Sequence, residues 1–434
     1  MVINPIYLYI CKIQKKAMLH PGSKGWINKY FDLVEKEHFQ LVVERPTSIG
    51  IEHFLHLTFG RTGIVFGYPS RLLFANSLNS SKWTLDEKLK VLLLESHLFI
   101  YLLNHKKTET LKEDFINSLL QFYGNHNSYS ITKIFTFFLK EAPEEKLENI
   151  LTKRLEIKLN LLDNKLWVSY LSNAFVYLDV ILFYDTLKGK KRGKISNYND
   201  LALNSLTAIS IAAFSDGLVE DQEKSMFKIF LASANLPDRL REIAMSQFKN
   251  GATFDDFSAL IQKNWLFKRF VLDISALTIL AYSESVPEEK IFLTELCAFL
   301  DIPEKELDET LVMVGSFVLH NNKKVAFLKT SSSYEKMFSS LSRRWIKILG
   351  RNKDKLAIEL KQSKELVSLI KKSAIKELTK EEKELVKTQF KDIIKSMPTL
   401  AIFMLPGGAL LLPLVLKIIP DLIPSAFRDN EIES

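Results

Sequence analysis

The stretch Ser396 to Leu416 (SMPTLAIFMLPGGALLLPLVL) carries no formal charge and constrains this chain more than anything else in it. Lys395 and Lys417 bracket it. As a helix it is long enough to cross a hydrocarbon core of about 30 Å. It also holds Pro398, Pro406 and Pro413, the pair Gly407-Gly408, and, just past its end, Pro420 and Pro424. In water such a density of helix breakers opposes a regular helix. In a membrane, packed neighbours re-satisfy the freed backbone groups. Pro406, Pro413 and Pro420 recur every seven residues, so in a helix they lie close to one face. A kinked or broken membrane span over 396–416 is the expectation, shaped by Pro398, Pro406, Gly407, Gly408, Pro413, Lys417 and Pro420. The alternative is a Pro-punctuated helical hairpin inside a soluble core.

The remaining chain predicts helices. Only 15 Gly and 13 Pro occur in 434 residues, with Pro concentrated in the tail, so long helices and little β-structure follow. The net charge of +8 arises from 59 basic and 51 acidic residues, a mixed surface that alone selects neither nucleic acid nor membrane. Two distant cysteines, Cys11 and Cys297, speak against a disulfide framework and for a reducing compartment. Val2 to Cys11 is apolar but lacks the basic start and small-residue cleavage site of a signal peptide.

An N-terminal helical domain is expected over 19–187. Trp26, Tyr30, Phe31 and Val34 fall at helical spacing, and Thr84 with Glu87 forms a capping-box pattern ahead of Leu85, Leu89 and Leu92. Gly60, Gly63 and Gly67 lie in a segment that lacks the Gly-Lys-Ser/Thr of a phosphate loop and reads as a turn between helices. His53 and His56 form an H-x-x-H pair without a third ligand at helical spacing, which favours surface or partly buried histidines over a metal site. Leu166 to Tyr184 predicts a buried central helix, interrupted by Asn173 and Asp179. The basic run Lys188 to Lys194, with Lys190, Lys191 and Arg192, reads as a linker or a contact for anionic lipid or RNA phosphate.

A second unit, 195–330, contains a weak internal repeat. Ala213-Phe-Ser-Asp216-Gly217-Leu-Val-Glu220-Asp221-Gln-Glu223 is echoed by Ala281-Tyr-Ser-Glu284-Ser-Val-Pro-Glu288-Glu289. The junctions Leu236-Pro237-Asp238 and Ile302-Pro303-Glu304 follow the two copies. This pattern resembles the tellurite-resistance TerB-like helical domain, whose paired helices present acidic residues linked to metal binding. The resemblance implies Asp216, Glu220, Glu223, Glu284 and Glu288 as ligands for Ca²⁺ or another divalent cation; Ca²⁺ wants six to eight oxygens, so both copies would contribute. Acidic residues in a first helical turn also simply complement the helix dipole.

The tail, 340–434, opens with Arg343 and Arg344 and holds thirteen Lys and Arg against eight Asp and Glu between Arg351 and Lys395. Leu356, Leu360, Val367, Ile370 and Ala374 predict one helix with an apolar stripe. Thr379 with Glu382 makes a second capping box, leading to Leu385, Val386, Phe390, Ile393 and Ile394. The basic flank predicts a cytoplasmic side for these helices.

From Leu378 to Phe427 the charged helix ends in Asp392-Ile-Ile-Lys395-Ser-Met-Pro398. The span closes on Leu411-Leu412-Pro413-Leu414, and Lys417-Ile-Ile-Pro420 and Leu422-Ile-Pro424-Ser-Ala-Phe427 follow. This run resembles the membrane-proximal part of the Letm family, leucine-zipper/EF-hand transmembrane proteins of the mitochondrial inner membrane with bacterial relatives. In that family a large helical region resembling a ribosome-binding domain follows the span. The resemblance implies a membrane-attached scaffold that binds ribosomes, or part of a cation/proton transport system. A soluble metal-sensing module is the third reading.

The fold class expected is all-α: helical domains followed by a Pro/Gly-rich C-terminal segment like a membrane span. No nucleophile elbow, Walker motif, dinucleotide fingerprint, zinc motif or kinase signature occurs, so a non-enzymatic protein without an identified small-molecule substrate is expected. The expected setting is the bacterial inner membrane, with the bulk of the chain cytoplasmic. A lone span forms no pathway without partners, which points to a homo-oligomer if transport is the role.

Overall fold

The computed structural model describes residues 18–105, 108–125, 141–157, 175–189, 197–282, 287–321 and 343–396, together with Asn173 and Ile419; within these ranges Ser48, Asp216, Leu218, Glu220, 259–260, 262–263 and Trp345 are excepted. Every regular element among the described residues is helical, in agreement with the all-α expectation. No helix among them is long and apolar enough to cross a membrane. The stretch 396–416 lies outside the described residues except for Ser396 itself.

The chain forms two compact units, and neither is contiguous. One comprises residues up to Val43 with Leu72–Leu155; the other comprises Glu44–Arg71 with Glu156 onward.

The first unit is built on α1 (Trp26–Glu35), α3 (Leu85–Asn104), α4 (Leu111–Asn125) and α5 (Pro143–Leu155). α1 buries Trp26, Ile27, Tyr30, Phe31 and Leu33. Its first amide groups have no side-chain cap of their own; instead Glu148 of α5 accepts from Gly25 N and Ile27 N, both at 2.9 Å. A carboxylate there satisfies orphan donors and the positive end of the helix dipole together. α3 starts in the expected capping box: Glu87 N donates to Thr84 Oγ1 at 3.1 Å and Thr84 N to Glu87 Oε2 at 2.8 Å. From Val91 to Tyr101 every residue of α3 is buried, so the helix is enclosed on all sides and not only on the Leu89–Leu92 face. Its fully buried Glu95 survives because four donors converge on it, from Leu73 N, Phe74 N, Ala75 N and the Tyr30 hydroxyl at 2.6 to 3.2 Å. Burial still holds its carboxyl above the ordinary range.

The second unit centres on α10 (Trp265–Tyr282), in which every residue from Leu266 to Ile279 is buried. Around it pack α2 (Ile51–Thr62), α6 (Val176–Leu187), α7 (Tyr198–Ala213), α8 (Asp221–Ala234), α11 (Pro287–Phe299) and α12 (Glu304–Asn321). α9 (Asp238–Asn250) lies on α7. Of Leu166–Tyr184, the residues from Val176 are helical and buried as expected, yet this helix packs on α7 and α10 of this unit, not within the N-terminal one. Gly63 and Gly67 take left-handed conformations (φ 81° and 65°) and end α2 and a short 3-10 turn, which is the turn role expected of them. Gly60 serves contact: a Cβ there would lie 2.1 Å from the Met313 sulfur of α12.

The internal repeat is visible in the backbone. Three helices, α7–α8–α9, are followed by three more, α10–α11–α12. In each triplet the second helix is followed, within two residues of its end, by one with positive φ, Asn235 (49°) and Asp301 (51°), two positions ahead of Pro237 and Pro303. Asn and Asp tolerate this conformation better than other side chains. The apolar residues that follow, Leu236 and Ile302, are 1% and 5% exposed, and Asp238 and Glu304 open the third helices.

Within the second unit the tail adds α13 (Lys353–Gln362), α14 (Lys364–Ile375) and α15 (Lys380–Ser396), packed in sequence order. Leu356, Leu360, Val367 and Ile370 are all buried, but the single helix expected to carry them is two, broken at Ser363 (φ −115°, ψ 74°). The Ser363 hydroxyl donates to Gln389 of α15 at 2.9 Å, a partner outside its own helix. α15 begins in the expected second capping box, with Glu382 N donating to Thr379 Oγ1 at 3.2 Å and Thr379 N to Glu382 Oε2 at 3.0 Å.

Candidate functional site

Of the residues expected to bind metal, only Glu223 has a described side chain. Asp216, Glu220 and Glu284 lie outside the described residues, Glu288 is in the first turn of α11 without a described side chain, and Glu223 is half-buried on α8. Asp221, which opens α8, is 97% exposed and paired with Lys224 at 2.9 Å; that hydrogen bond, then the lysine's charge, lowers its pKa. No group of three or more His, Cys, Asp or Glu able to hold a metal ion occurs among the described residues. Pro398, Pro406, Gly407, Gly408, Pro413, Lys417, Pro420, Lys190, Lys191 and Arg192 lie outside the described residues.

Arg343 and Arg344 are described, and their roles differ. Arg343 is exposed. Arg344 is half-buried and turns toward Asp308 of α12, Nη1 to Oδ1 at 3.6 Å. Lys347 Nζ and Arg351 Nη2 reach Oδ2 of the same carboxylate at 3.0 and 2.8 Å. Spacings of three and four place residues 344, 347 and 351 on one helical stripe. The distances are those of ion pairs, but Asp308 Oδ2 has no partner in hydrogen-bond geometry, so charge rather than directional bonding holds the stripe. Burial pulls the Arg344 guanidinium below its usual range, with Asp308 opposing. Arg344 is therefore an anchor of the basic helices as well as a cation, which charge counting alone does not reveal.

Further along, Lys372 of α14 pairs with the capping Glu382 of α15, and Lys383 pairs with Glu377 at 2.7 Å. Exposed cations line these helices: Arg343, Lys353, Lys355, Lys361, Lys364 and Lys376. Such a face suits a polyanion, at a strength set by salt.

The second unit also holds an ionic network missed in the sequence. His56 Nε2 faces Asp273 Oδ2 at 2.8 Å, with side chains 1% and 0% exposed. The other Asp273 oxygen accepts from Thr310 Oγ1 at 3.1 Å. Arg269, fully buried, donates to Thr310 Oγ1 at 3.1 Å and to Glu306 at 2.8 Å. His53 Nε2 meets Glu309 Oε2 at 3.1 Å. Trp265 lies 5.9 Å from both imidazoles and 5.5 Å beneath the Arg269 guanidinium. Burial is the largest influence on His56 and lowers its pKa against the pull of Asp273. Both Nε2 atoms already face carboxylates, so the H-x-x-H pair ties α2 to α10 and α12. Buried networks of this kind fix which helices pair, since a lost partner leaves a buried charge uncompensated.

Comparison with known proteins bears on the tail. Residues 378–434 match the family model described as "LETM1-like, RBD". The match opens at Leu378, before the capped start of α15, so it runs through the apolar stretch and does not lie beyond it, where the resemblance places a ribosome-binding-type region. An 84-residue alignment is 36% identical to the "LETM1 domain-containing protein YLH47, mitochondrial" of Saccharomyces cerevisiae (strain ATCC 204508 / S288c); it covers 18% of this chain and 18% of that protein. No solved structure matches. The C-terminal part of the chain, from Leu378 onward, is similar to the LETM1-like family.

Proposed function

We propose that this chain is a non-enzymatic, Letm-type membrane-associated protein whose cationic tail contacts ribosomes. The observation that carries the reading is the match of residues 378–434 to the LETM1-like RBD family, taking RBD as ribosome-binding domain. The exposed lysines and arginines of the helices just ahead support it, because ribosomal surfaces are rich in phosphate. The stretch 396–416 supplies the membrane attachment, and the basic flank stays on the cytoplasmic side of a bacterial-type inner membrane. The carboxylates of the TerB-like unit add binding of a divalent cation such as Ca²⁺.

Co-sedimentation with purified ribosomes tests the central claim. Binding is expected at low salt and should fall steeply as salt rises. Arg343→Glu with Lys353→Glu should weaken it, since both residues are exposed. Arg344→Glu is the wrong reversal, because it would set a second carboxylate against Asp308. Absence of the protein from ribosomal fractions at low salt removes the reading. Release of the full-length chain by an alkaline carbonate wash would remove the membrane attachment separately.

A further inference from the structure

α2 belongs to Glu44–Arg71, a stretch of the N-terminal chain that joins the second unit, while the chain before it and Leu72–Leu155 after it form the first. The helix is 12 residues long, and Gly50 at its start offers no side-chain cap. A helix of that length is marginal in water on its own, so packing holds it. Leu55, Leu57 and Phe59 are buried, and Gly60 comes close against Met313 of α12. Polar ties run from Glu52 to Lys188 at 2.6 Å, from His53 to Glu309 and from His56 to Asp273.

We propose that α2 is an acid-released latch: a second proton on His56 favours a state in which this helix leaves α10 and α12 while the rest of the second unit stays folded. Asp273 Oδ2, an acceptor, faces His56 Nε2, so the proton of the neutral ring sits on Nε2 and donates there. Nδ1 is buried and has no hydrogen-bond partner among the described residues. A second proton would place an N–H where nothing described accepts it, a costly arrangement in a side chain 1% exposed. The charged groups around the ring come from three helices: His53 of α2, Arg269 and Asp273 of α10, and Glu309 of α12. Glu306 of α12 holds Arg269, and Tyr177 of α6 feels the Asp273 charge. The two carboxylates facing the ring, Asp273 and Glu309, favour the imidazolium, whereas Arg269 and His53 oppose it; burial is the largest influence and lowers the pKa. Once α2 lifts away, the imidazole reaches water and takes the proton near its ordinary value of about 6.5. Acid therefore raises the open fraction, by up to about tenfold between pH 7.5 and 5.5. The opening is local because α10 and α12 keep each other without α2, through Arg269 with Glu306 and Thr310, and Thr310 with Asp273.

Hydrogen exchange on the full-length protein tests the latch, with each rate divided by its intrinsic value at that pH. Protection of amides 54–62 should fall about tenfold from pH 7.5 to 5.5. Dilute denaturant should barely change it, since a local opening exposes little surface. Protection within α10, lost only on wider unfolding, should be higher at each pH and fall steeply with denaturant. His56→Gln keeps a donor for Asp273 but takes no proton, so it should abolish the pH slope of α2. His53→Gln, at a side chain 25% exposed, should retain the slope. Protection of α2 that does not change with pH in the parent overturns the inference, as does a slope that survives in His56→Gln. So does an equal protection and denaturant response in α2 and α10, because the helix would then open only when the whole unit unfolds. The parent measurements decide alone if a variant fails to fold. None of these outcomes depends on ribosome binding.

Discussion

Replacing Asp308 by Asn takes away one charge and leaves three. The carboxylate side chain, 8% exposed, meets Arg344, Lys347 and Arg351 at 3.6, 3.0 and 2.8 Å. At an effective dielectric constant of about 20, each contact is worth roughly 5 to 6 kcal/mol before solvent acts. The three cations repel one another; at separations of about 5 Å, each of the three pairs returns roughly 3 kcal/mol. About 6 kcal/mol remains, and it must be discounted further because Lys347 and Arg351 are 50% and 38% exposed. A net loss of about 2 kcal/mol is the expectation, confined to the docking of residues 343–351 on α12. Hydrogen exchange reads this directly: amides 346–351 should exchange about thirtyfold faster in Asp308→Asn. Added salt should speed exchange there in the parent protein and slow it in the variant, where anions screen cations that only repel. If ribosome contact runs through these cations, co-sedimentation of the variant should persist to higher salt. Unchanged exchange at 346–351, at both low and high salt, would refute the argument that charge anchors this helix.

Two further outcomes follow from the second unit. Because burial lowers the His56 pKa, the unfolded chain binds the proton more readily than the folded one, so stability present above the unfolded value of about 6.5 should decline as pH falls through it; chemical denaturation between pH 7.5 and 5.5 should show the slope, and His56→Gln should flatten it. Gly63→Ala should cost more than about 2 kcal/mol, since φ is 81° and the new Cβ would lie 2.2 Å from the Tyr68 carbonyl oxygen, whereas Gly350→Ala, with open space and no positive φ, should stabilise by about 0.5 kcal/mol in thermal melts.

What was legible in the sequence was mostly local. The two capping boxes were readable because Thr84 with Glu87, and Thr379 with Glu382, are three residues apart, and both form. The repeat was seen through its acidic loop starts, but its clearest structural mark is Asn235 and Asp301 in the left-handed conformation ahead of Pro237 and Pro303. An Asn or Asp two positions before a proline was the available signal. His53 and His56 were visible as a pair, whereas Glu309 and Asp273 stand 256 and 217 residues away, beyond any local pattern. The break at Ser363 had no Gly or Pro to announce it, only a hydroxyl drawn to Gln389. Nor could charge counting separate Arg343, which is exposed, from Arg344, which is docked on Asp308.

Neighbouring residues of α12 divide two tasks. Glu306, Glu309 and Thr310 engage Arg269, His53 and Asp273, and so fix α12 against α10 and α2. Asp308, between them in sequence, holds the stripe of Arg344, Lys347 and Arg351. The dependence runs one way. The stripe is anchored only where the network places α12, while the network's partners all lie on α2, α10 and α12 and draw nothing from the stripe. Asp308→Asn should therefore loosen residues 346–351 and leave the protection of buried α10 amides as it was. Breaking the network through Asp273 would leave His56 without its carboxylate and Thr310 without its acceptor in the core, and α10 and residues 346–351 should then lose protection together. A helix that carries both anchors ties the start of the cationic tail, residues 344–351, to the buried core.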